Sequence, residues 1–292
     1  MKIEGLFTAF LSISLSLSSC TKNLCDVGDT KITSRDIEFR KRVSEVYYPG
    51  SGKDYVALAQ LIKGYLSEEV LKSLGYKIDE SILEGEAERI DKNTKAPDVL
   101  ERIKRIYGRN RRDYIKTFVR IVYAERFLYN EVFLKSRDIH KREFQKMEDF
   151  LHAVKKSPHS FKKIAEKMDL EAKRLSVSKD KGILRFEGKS IDERKETGSG
   201  SGQAERIIDL LKGLKEGMVY PDVIEWMEGY QVIRLVKKEG DEYIVDSVSV
   251  QKRNYDDWFW EKAKELPVKI YDEKLKDKFI KEVGWAGMVN LR

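Results

Sequence analysis

The segment from Arg111 to Leu134 carries apolar side chains around most of the circumference of a predicted α-helix. These side chains are too widely spaced around the helix to form one stripe: Tyr114, Ile115, Phe118, Val119, Val122, Phe127, Leu128 and Val132. A helix with so wide an apolar surface must pack against more than one neighbour, because a single partner covers only one stripe. The chain must therefore place several other elements around this helix.

Amphipathic patterns on both sides of this segment predict the neighbouring helices. Thr33, Asp79 and Pro97 each occupy a position that favours a helix start, either as an N-cap or as a first-turn proline. From Tyr55 to Leu74, apolar side chains recur every three or four residues, which is the period of a helix with one buried stripe. Residues 139–154 carry a further helical pattern. The first half of the chain is therefore predicted to be helical.

The pattern changes after Pro158. A short helix is predicted from Ser160, and further helices over 204–214, 255–266 and 273–283. Between them the residues alternate as in strands, and the predicted strands are Leu175–Ser178, Ile183–Phe186, Val223–Met227, Tyr230–Val236, Tyr243–Val250 and Pro267–Tyr271. The predicted fold class is α+β, with helix predominating.

The N-terminus indicates where the protein works. Residues 6–17 form an uncharged apolar run that fits a secretory signal and is too short to span a bilayer as a helix. The run ends in Leu17-Ser18-Ser19-Cys20, which resembles a bacterial lipobox. This resemblance implies removal of residues 1–19 and lipidation of Cys20, on the periplasmic side of a bacterial membrane. A plain secretion signal and a buried apolar segment of a cytosolic protein remain as alternatives.

The distribution of positive charge raises the question of a nucleic-acid partner. The formal net charge is +7, and residues 101–126 hold nine Lys or Arg and three acids. Aromatic residues interleaved with these cations are a feature of nucleic-acid surfaces. On an exported protein the same segment is better explained as a solvated face, or one that faces anionic lipid or a client protein. No nucleic-acid partner is predicted.

Residues suited to metal, cofactor or nucleophilic chemistry are sparse. His140, His152 and His159 have no partner at metal-ligand spacing, and Cys25 is the only thiol besides Cys20. No nucleophilic triad, phosphate-binding glycine loop or paired-carboxylate motif stands out from the charge background. The sequence therefore predicts no catalytic residue, no metal and no cofactor.

Two segments carry a resemblance to the extracytoplasmic folding factors of the SurA and PrsA type. Val27 to Thr33 (VGDTKIT), followed by a basic helix, resembles the strand, turn and first helix that open the SurA N-terminal domain. Leu211 to Leu235 is similar to the last helix and closing hairpin of a parvulin-type prolyl isomerase module. The helix from Phe161 to Met168, with Gly182 to Phe186 after it, resembles the middle of such a module.

The resemblance implies four segments. These are a signal peptide (1–19), a helical chaperone domain (20–156), a small parvulin-like α/β module (157–238) and a C-terminal segment (239–292) that returns to the helical domain. In the family, the parvulin module opens with a strand that carries a His, and its closing strand carries a second His. Here Gln231 occupies the second position, and no strand with a His precedes Phe161. The module is therefore identified as degenerate, with Phe186, Met227, Tyr230 and Gln231 as its remnant prolyl pocket.

The resemblance and the missing histidines together favour binding without catalysis. The predicted function is a membrane-tethered chaperone that holds unfolded or partly folded exported polypeptides. Two alternatives remain: an active peptidyl-prolyl isomerase, and a structural or assembly lipoprotein with one dedicated partner. The predicted partners are exported polypeptides and, through the N-terminal lipid, a membrane.

Overall fold

The structure is a computed structural model that describes residues 21–93, 95–186, 194–196 and 201–292. The predicted signal peptide (1–19) and the predicted lipidation site Cys20 lie outside these residues. Most of the polar segment 187–203 lies outside them as well. Within the described residues the protein has an α+β fold of helices with one mixed four-stranded sheet and one antiparallel six-stranded sheet.

Contacts divide the chain into two units. The first unit contains the described residues up to Tyr123 together with Ala263–Arg292, and the second unit contains Ala124–Lys262. The predicted boundary between residues 156 and 157 falls inside the second unit. Residues 239–262, predicted to return to the helical domain, also belong to the second unit, because they include a strand of its sheet.

The first unit joins both ends of the described chain in one four-stranded sheet. Its strands are β1 (Asn23–Val27), β2 (Thr30–Thr33), β9 (Pro267–Ile270) and β10 (Asn290–Leu291), in the order β10-β9-β1-β2. β1 pairs antiparallel with both β2 and β9, with Cys25 opposite Ile270. The β1–β2 turn contains Gly28 at φ +54°, a left-handed conformation that glycine adopts without strain.

The helices of the first unit begin where the sequence predicts them. They are α1 (Ser34–Tyr47), α2 (Asp54–Ser73), α3 (Glu80–Asn93), α4 (Pro97–Tyr107), α5 (Arg111–Tyr114) and α11 (Glu273–Glu282). Thr33 and Asp36 form the capping box of α1, in which each side chain bonds the other residue's backbone N–H. The Asp79 carboxylate accepts a hydrogen bond from Ile82 N at the start of α3. These helix starts confirm the predictions from sequence.

The helix predicted over 111–134 is interrupted by two wider turns. After α5 the backbone is π-helical over Ile115–Val119, returns to α6 (Arg120–Phe127) and is π-helical again over Leu128–Phe133. Each π-helical turn shifts the register of the side chains that follow it. The shift distributes the apolar residues over several neighbours, including α2.

The second unit is built on a six-stranded antiparallel sheet. Its strands are β3 (Ala172–Ser178), β4 (Gly182–Phe186), β5 (Arg194–Glu196), β6 (Ile224–Glu225), β7 (Gly229–Glu239) and β8 (Glu242–Gln251). The order is β5-β4-β3-β8-β7-β6, so β8 lies at the centre and pairs with both β3 and β7. The strand predicted over 223–227 is limited to the two residues of β6.

Helices cover both faces of this sheet. On one face lies α9 (Ser201–Leu211), which buries Ala204, Ile207, Ile208 and Leu211 against the strands. On the other face lie α7 (Lys141–Lys156) and α8 (Phe161–Lys167), with Phe150 and Phe161 fully buried. α7 therefore belongs to the sheet unit, although the sequence predicts it as the last helix of the helical domain.

The remaining helix of the second unit is α10 (Tyr255–Ala263). Its aromatic residues pack on the preceding π-helical turn: the Trp258 and Phe133 ring centroids are 5.2 Å apart, and those of Tyr255 and Phe133 are 5.1 Å apart. Trp258, Phe259 and Trp260 are all buried. Among the described residues, no helix has both the length and the apolar character required to cross a bilayer.

Candidate functional site

The closing hairpin of the second unit holds the residues predicted to form a remnant prolyl pocket. β6 pairs with β7 so that Ile224 lies opposite Gln231 and Glu225 lies opposite Tyr230. Gly229 opens β7, and a Cβ at this position would lie 2.6 Å from the backbone oxygen of Val250 on β8. Only glycine fits such a close approach of two backbones, so Gly229 sets the spacing between β7 and β8.

Gln231 is closed off by neighbouring side chains. It is 7% exposed and points to the sheet face that α9 covers, as do Ile233 and Leu235. Trp226 Nε1 donates a hydrogen bond to Gln231 Oε1, and Gln231 Nε2 donates one to Ser247 Oγ, each at 2.7 Å. Both ends of the amide therefore have partners within the protein, and neither is directed at a ligand.

Tyr230 points to the opposite face of the sheet from Gln231, because side chains alternate along a strand. It is fully buried in the apolar cluster under α7, with its ring centroid 5.2 Å from that of Phe144. Its hydroxyl has no hydrogen-bond partner among the described residues. Burial, aided by the negative charge of Glu225, raises the pKa of Tyr230 to about 12. Tyr230 therefore acts as a core residue, not as part of a pocket with Gln231.

The last two predicted pocket residues do not join either of these. Met227 is 69% exposed at the tip of the hairpin. Phe186 ends β4, and its side chain lies outside the described part of the chain. The structure thus separates Tyr230, Gln231 and Met227 onto two faces of the sheet and a hairpin tip.

The longer of the two strands beside β7 is β8, and its residues show which side chains lie next to Gln231. In parvulin modules the closing strand faces a strand that carries a His. Here β8 lies along β7, with Ser249 opposite Gln231 and Val248 opposite Val232. β8 contains no histidine (EYIVDSVSVQ), and it contributes the Ser247 hydroxyl instead. A pair of imidazoles to hold a twisted prolyl amide is therefore absent from β7 and β8.

One histidine is buried in the same unit, where it has a structural role. His140 Nε2 donates a hydrogen bond to Phe133 O at 2.7 Å, and Arg253 N donates one to His140 Nδ1 at 3.2 Å. One donor and one acceptor nitrogen require the neutral imidazole. Burial, assisted by the positive charge of Lys252, lowers the pKa of His140. The sequence around His140 did not indicate that its side chain is buried and hydrogen-bonded at both nitrogens.

Lys252 is a second buried titratable group that the sequence did not reveal. Its ammonium donates hydrogen bonds to Leu134 O at 2.5 Å and to Glu225 Oε1 at 2.9 Å, and it lies 5.4 Å from the centroid of the Tyr230 ring. Because the backbone oxygen, the carboxylate and the ring surround this ammonium, it is anchored and is not poised as a nucleophile.

Another buried charge, the carboxylate of Asp246, lies at the middle of the sheet. Asp246 on β8 lies between Arg174 on β3 and Arg234 on β7, its two neighbours across the strands. Arg174 Nε donates to Asp246 Oδ1 at 2.8 Å, while Arg234 Nη2 donates to Asp246 Oδ2 and Arg234 Nη1 to Pro158 O at 2.6 Å. The three charges join the central strands to the segment that leads into α8.

The first unit contains a cavity of about 670 Å³ beside its π-helical turn. It is lined by Thr30, Tyr65, Glu80, Glu84, Arg111, Arg112, Ile115, Lys116 and Arg120. Most of its cations are paired with carboxylates: Arg111 with Glu84 at 2.8 Å, and Lys116 with Asp36 at 2.6 Å. Arg112 is exposed and has no carboxylate partner among the described residues.

Arg120 connects this cavity to a buried acid. Its Nη1 lies 2.8 Å from Glu68 Oε1, and its Nη2 is bonded to Glu80. Burial raises the pKa of Glu68, and the charge of Arg120 opposes that shift. The lining therefore combines apolar surface with paired charges of both signs.

Within the described ranges, no three His, Cys, Asp or Glu side chains are placed to hold a metal ion. Comparison of the sequence with protein-family models and with curated proteins finds no match.

Proposed function

We propose that this protein is a lipid-anchored extracytoplasmic chaperone that binds unfolded exported polypeptides through its first unit. The parvulin-like module (157–238), which lies within the second unit, does not catalyse prolyl isomerisation. The anchor is a lipid on Cys20, and the site of action is the periplasmic side of a bacterial membrane. The chaperone resembles the SurA and PrsA type.

The state of Gln231 carries the proposal that the module does not catalyse. Isomerisation requires polar groups that hold the amide as it twists over a barrier of about 18–20 kcal/mol. The Gln231 amide is bonded at both ends, to Trp226 and Ser247, and it is almost fully buried. Freeing it for a substrate would break two hydrogen bonds, at a cost of about 1–3 kcal/mol for each group left unsatisfied.

Exposed apolar side chains of the first unit, between residues 74 and 82, support client binding. Leu74, Tyr76 and Ile82 are all exposed, Tyr76 by 43%. They belong to the segment that also contributes Glu80 and Glu84 to the cavity lining. A chaperone for many clients needs adaptable apolar contacts rimmed by charge rather than one shaped pocket.

The chain order of the first unit also supports the proposed resemblance. The β1–β2 hairpin leads directly into the capped start of α1, and β9 from the C-terminal segment pairs with β1. In SurA-like proteins a C-terminal segment likewise returns to complete the N-terminal domain.

The test uses the chain from Thr21 to Arg292, which retains every described contact of both units. The protein is mixed with a chemically unfolded client, and aggregation is followed by light scattering. We expect suppression near equimolar amounts, and no acceleration of cis-to-trans conversion in a short Xaa-Pro peptide. Absence of protection would contradict the chaperone proposal. A peptide rate above the buffer control would instead support the isomerase alternative.

A pair of matched variants locates the client surface. Tyr76→Ser with Ile82→Ser removes two exposed apolar groups of the 74–82 segment, and we expect protection to weaken several-fold. Ile280→Ser with Met288→Ser removes two similarly exposed groups elsewhere in the same unit. This control is expected to protect as the parent does, and equal loss in both pairs would place the client surface elsewhere.

Two experiments in cells address the anchor and the remaining alternative. Fatty-acid labelling is expected for the parent and absent for Cys20→Ser, and labelling of Cys20→Ser would contradict the predicted anchor. Crosslinking is expected to capture a spread of exported proteins. Capture of one dedicated partner would favour the assembly-lipoprotein alternative.

A further inference from the structure

A second cavity of the first unit, of about 560 Å³, lies beside the start of the described chain. It is lined by Leu24, Ser34, Ile37, Glu38, Lys41, Gly52, Lys53, Asp54, Tyr55, Asp272, Lys274, Leu275 and Lys278. These residues come from β1 and from the N-terminal ends of α1, α2 and α11 with the turns that precede them. The cavity is separate from the larger one, and the two share no lining residue.

In this cavity, more cations than acids lack an ion-pair partner within the described part of the chain. Its acids are engaged: Lys41 bonds Glu38 at 2.8 Å and Asp54 at 3.1 Å, and Asp272 caps α11. The exposed ammonium groups of Lys53, Lys274 and Lys278 have no carboxylate partner among the described residues. Lys274 and Lys278 are four residues apart on α11, so both lie on one side of that helix. We name these three residues the lysine cluster.

The start of the described chain lies at the rim of this cavity. Lys22 Nζ is 3.7 Å from Asp272 Oδ2, and Lys22 O accepts a hydrogen bond from Ser34 N. Both partners line the cavity. The proposed lipidation site, Cys20, precedes Lys22 by two residues, and two residues of extended chain span at most about 7 Å. Acyl chains on Cys20 would hold the cavity rim at the level of the lipid headgroups.

We propose that the lysine cluster binds the phosphate groups of anionic phospholipids, so that this face of the first unit lies against the membrane. The proposal rests on lipidation of Cys20, which is part of the proposed function. Lysines near an anionic membrane surface each strengthen binding, and their effect reaches about one Debye length, roughly 8–10 Å. The short tether keeps the rim within that range, and the cavity gives the headgroups a recess between α2 and α11.

The test measures the unlipidated chain from Thr21 to Arg292 with vesicles, so that acyl insertion does not mask the contribution of the lysines. Co-sedimentation is compared for phosphatidylcholine vesicles with and without phosphatidylglycerol. We expect binding only to the anionic vesicles, weakening as salt is raised. Combined Lys53→Gln, Lys274→Gln and Lys278→Gln should reduce the partition coefficient about five-fold per lysine, or roughly a hundred-fold together.

A matched triple variant separates a local site from a net-charge effect. Lys155→Gln, Lys156→Gln and Lys163→Gln remove the same charge from exposed positions of the second unit. This control is expected to bind the anionic vesicles nearly as the parent does. Equal loss in both triples, or full binding by the cluster variant, would overturn the proposal.

Titration with inorganic phosphate shows whether the lysine cluster binds a soluble phosphate or only the phosphate groups of a membrane surface. It is titrated at constant ionic strength and followed by calorimetry. We expect no saturable binding of phosphate alone, because the site is proposed to act on a surface of many headgroups. Saturable phosphate binding that depends on the lysine cluster, without vesicle binding, would overturn the membrane assignment in favour of a soluble ligand.

The aggregation assay on the same proteins keeps this proposal distinct from the chaperone proposal. The cluster variant is expected to protect the unfolded client as the parent does, since the lysine cluster does not line the larger cavity. Protection without vesicle binding in the parent would refute only the membrane orientation. Vesicle binding without protection would refute only the chaperone function.

Discussion

Gly64 of α2 and Ile121 of α6 lie so close that a Cβ on Gly64 would be 2.3 Å from Ile121 Cγ2 and 2.8 Å from Ile121 Cβ. Glycine in the middle of a twenty-residue helix is unfavourable by about 0.5–1 kcal/mol relative to alanine. The close approach explains why this position nevertheless has no side chain. It lets the broad apolar surface of the long helical segment pack directly on α2.

Gly64→Ala is therefore expected to destabilise the protein. The gain in helix propensity is outweighed, because the Ile121 branch point cannot move aside without shifting a helix. Overpacking of this kind costs about 1–3 kcal/mol. Urea unfolding followed by far-UV circular dichroism measures the change. Gly85→Ala is the control, since the space around Gly85 in α3 is open, and it should stabilise by about 0.5–1 kcal/mol. A stable Gly64→Ala variant would contradict the close approach.

Asp246→Asn is expected to destabilise the second unit by about 3–5 kcal/mol, because it leaves Arg174 and Arg234 without their shared carboxylate in the sheet. Three of the four tryptophans lie in this unit, so fluorescence-monitored unfolding reports on it. The control is Asp209→Asn, which removes the exposed ion pair between Asp209 of α9 and Lys212. It should leave the unfolding midpoint unchanged. Equal effects of the two changes would show that the central charges are not coupled.

His140 should make the second unit less stable in mild acid. Its pKa is lowered in the folded protein, chiefly by burial, so the unfolded chain binds a proton that the folded chain rejects. The contribution is complete above the unfolded value of about 6.5 and is lost as the pH falls below it. The slope is at most about 1.4 kcal/mol per pH unit for one proton.

Unfolding midpoints measured between neutral and mildly acidic pH test this expectation. His140→Gln should flatten the pH dependence, although it lowers stability at neutral pH through its altered hydrogen bonds. His152→Gln changes an exposed histidine of α7 and should retain the dependence of the parent. A parent protein with no loss of stability on acidification would contradict a buried neutral His140.

Cys25 is expected to be unreactive in the folded protein. Its side chain is buried between the strands of the first unit, and burial raises the pKa of its thiol to about 12. Thiol reagents attack the thiolate, which is then almost absent at neutral pH. In the chain from Thr21 to Arg292, Cys25 is the only thiol, so a colorimetric thiol assay reads it alone. Labelling should follow unfolding in denaturant, and rapid labelling under native conditions would contradict this burial.

Helix starts could be predicted from sequence because they depend on residues within one turn. The capping box of Thr33 and Asp36, the cap by Asp79 and the first-turn Pro97 are all present in the structure. The two π-helical turns were not predicted, since the apolar pattern of residues 111–134 indicates one continuous helix. The spacing around Gly64 likewise depends on Ile121, which lies 57 residues away in the chain.

The candidate site shows the same division. Alternation along β7 indicated that Gln231 points with Ile233 and Leu235, and the structure agrees. It also implies that Tyr230 points the other way, so the two never belonged in one pocket. The partners Trp226 and Ser247 came from a turn and from β8, and nothing local to Gln231 indicated either of them.

From the amino-acid sequence alone one can predict the helical segments with their caps, the α+β class, and that position 231 carries no histidine. Those properties follow from side-chain periodicity and residue identity over a few positions. The tertiary structure was needed to place β8 at the centre of the sheet, to bury Asp246 and His140, and to bring Lys53 to the same cavity as Lys274 and Lys278 of α11. Strand order and burial depend on contacts between distant segments, and chain periodicity carries no information about which segments meet.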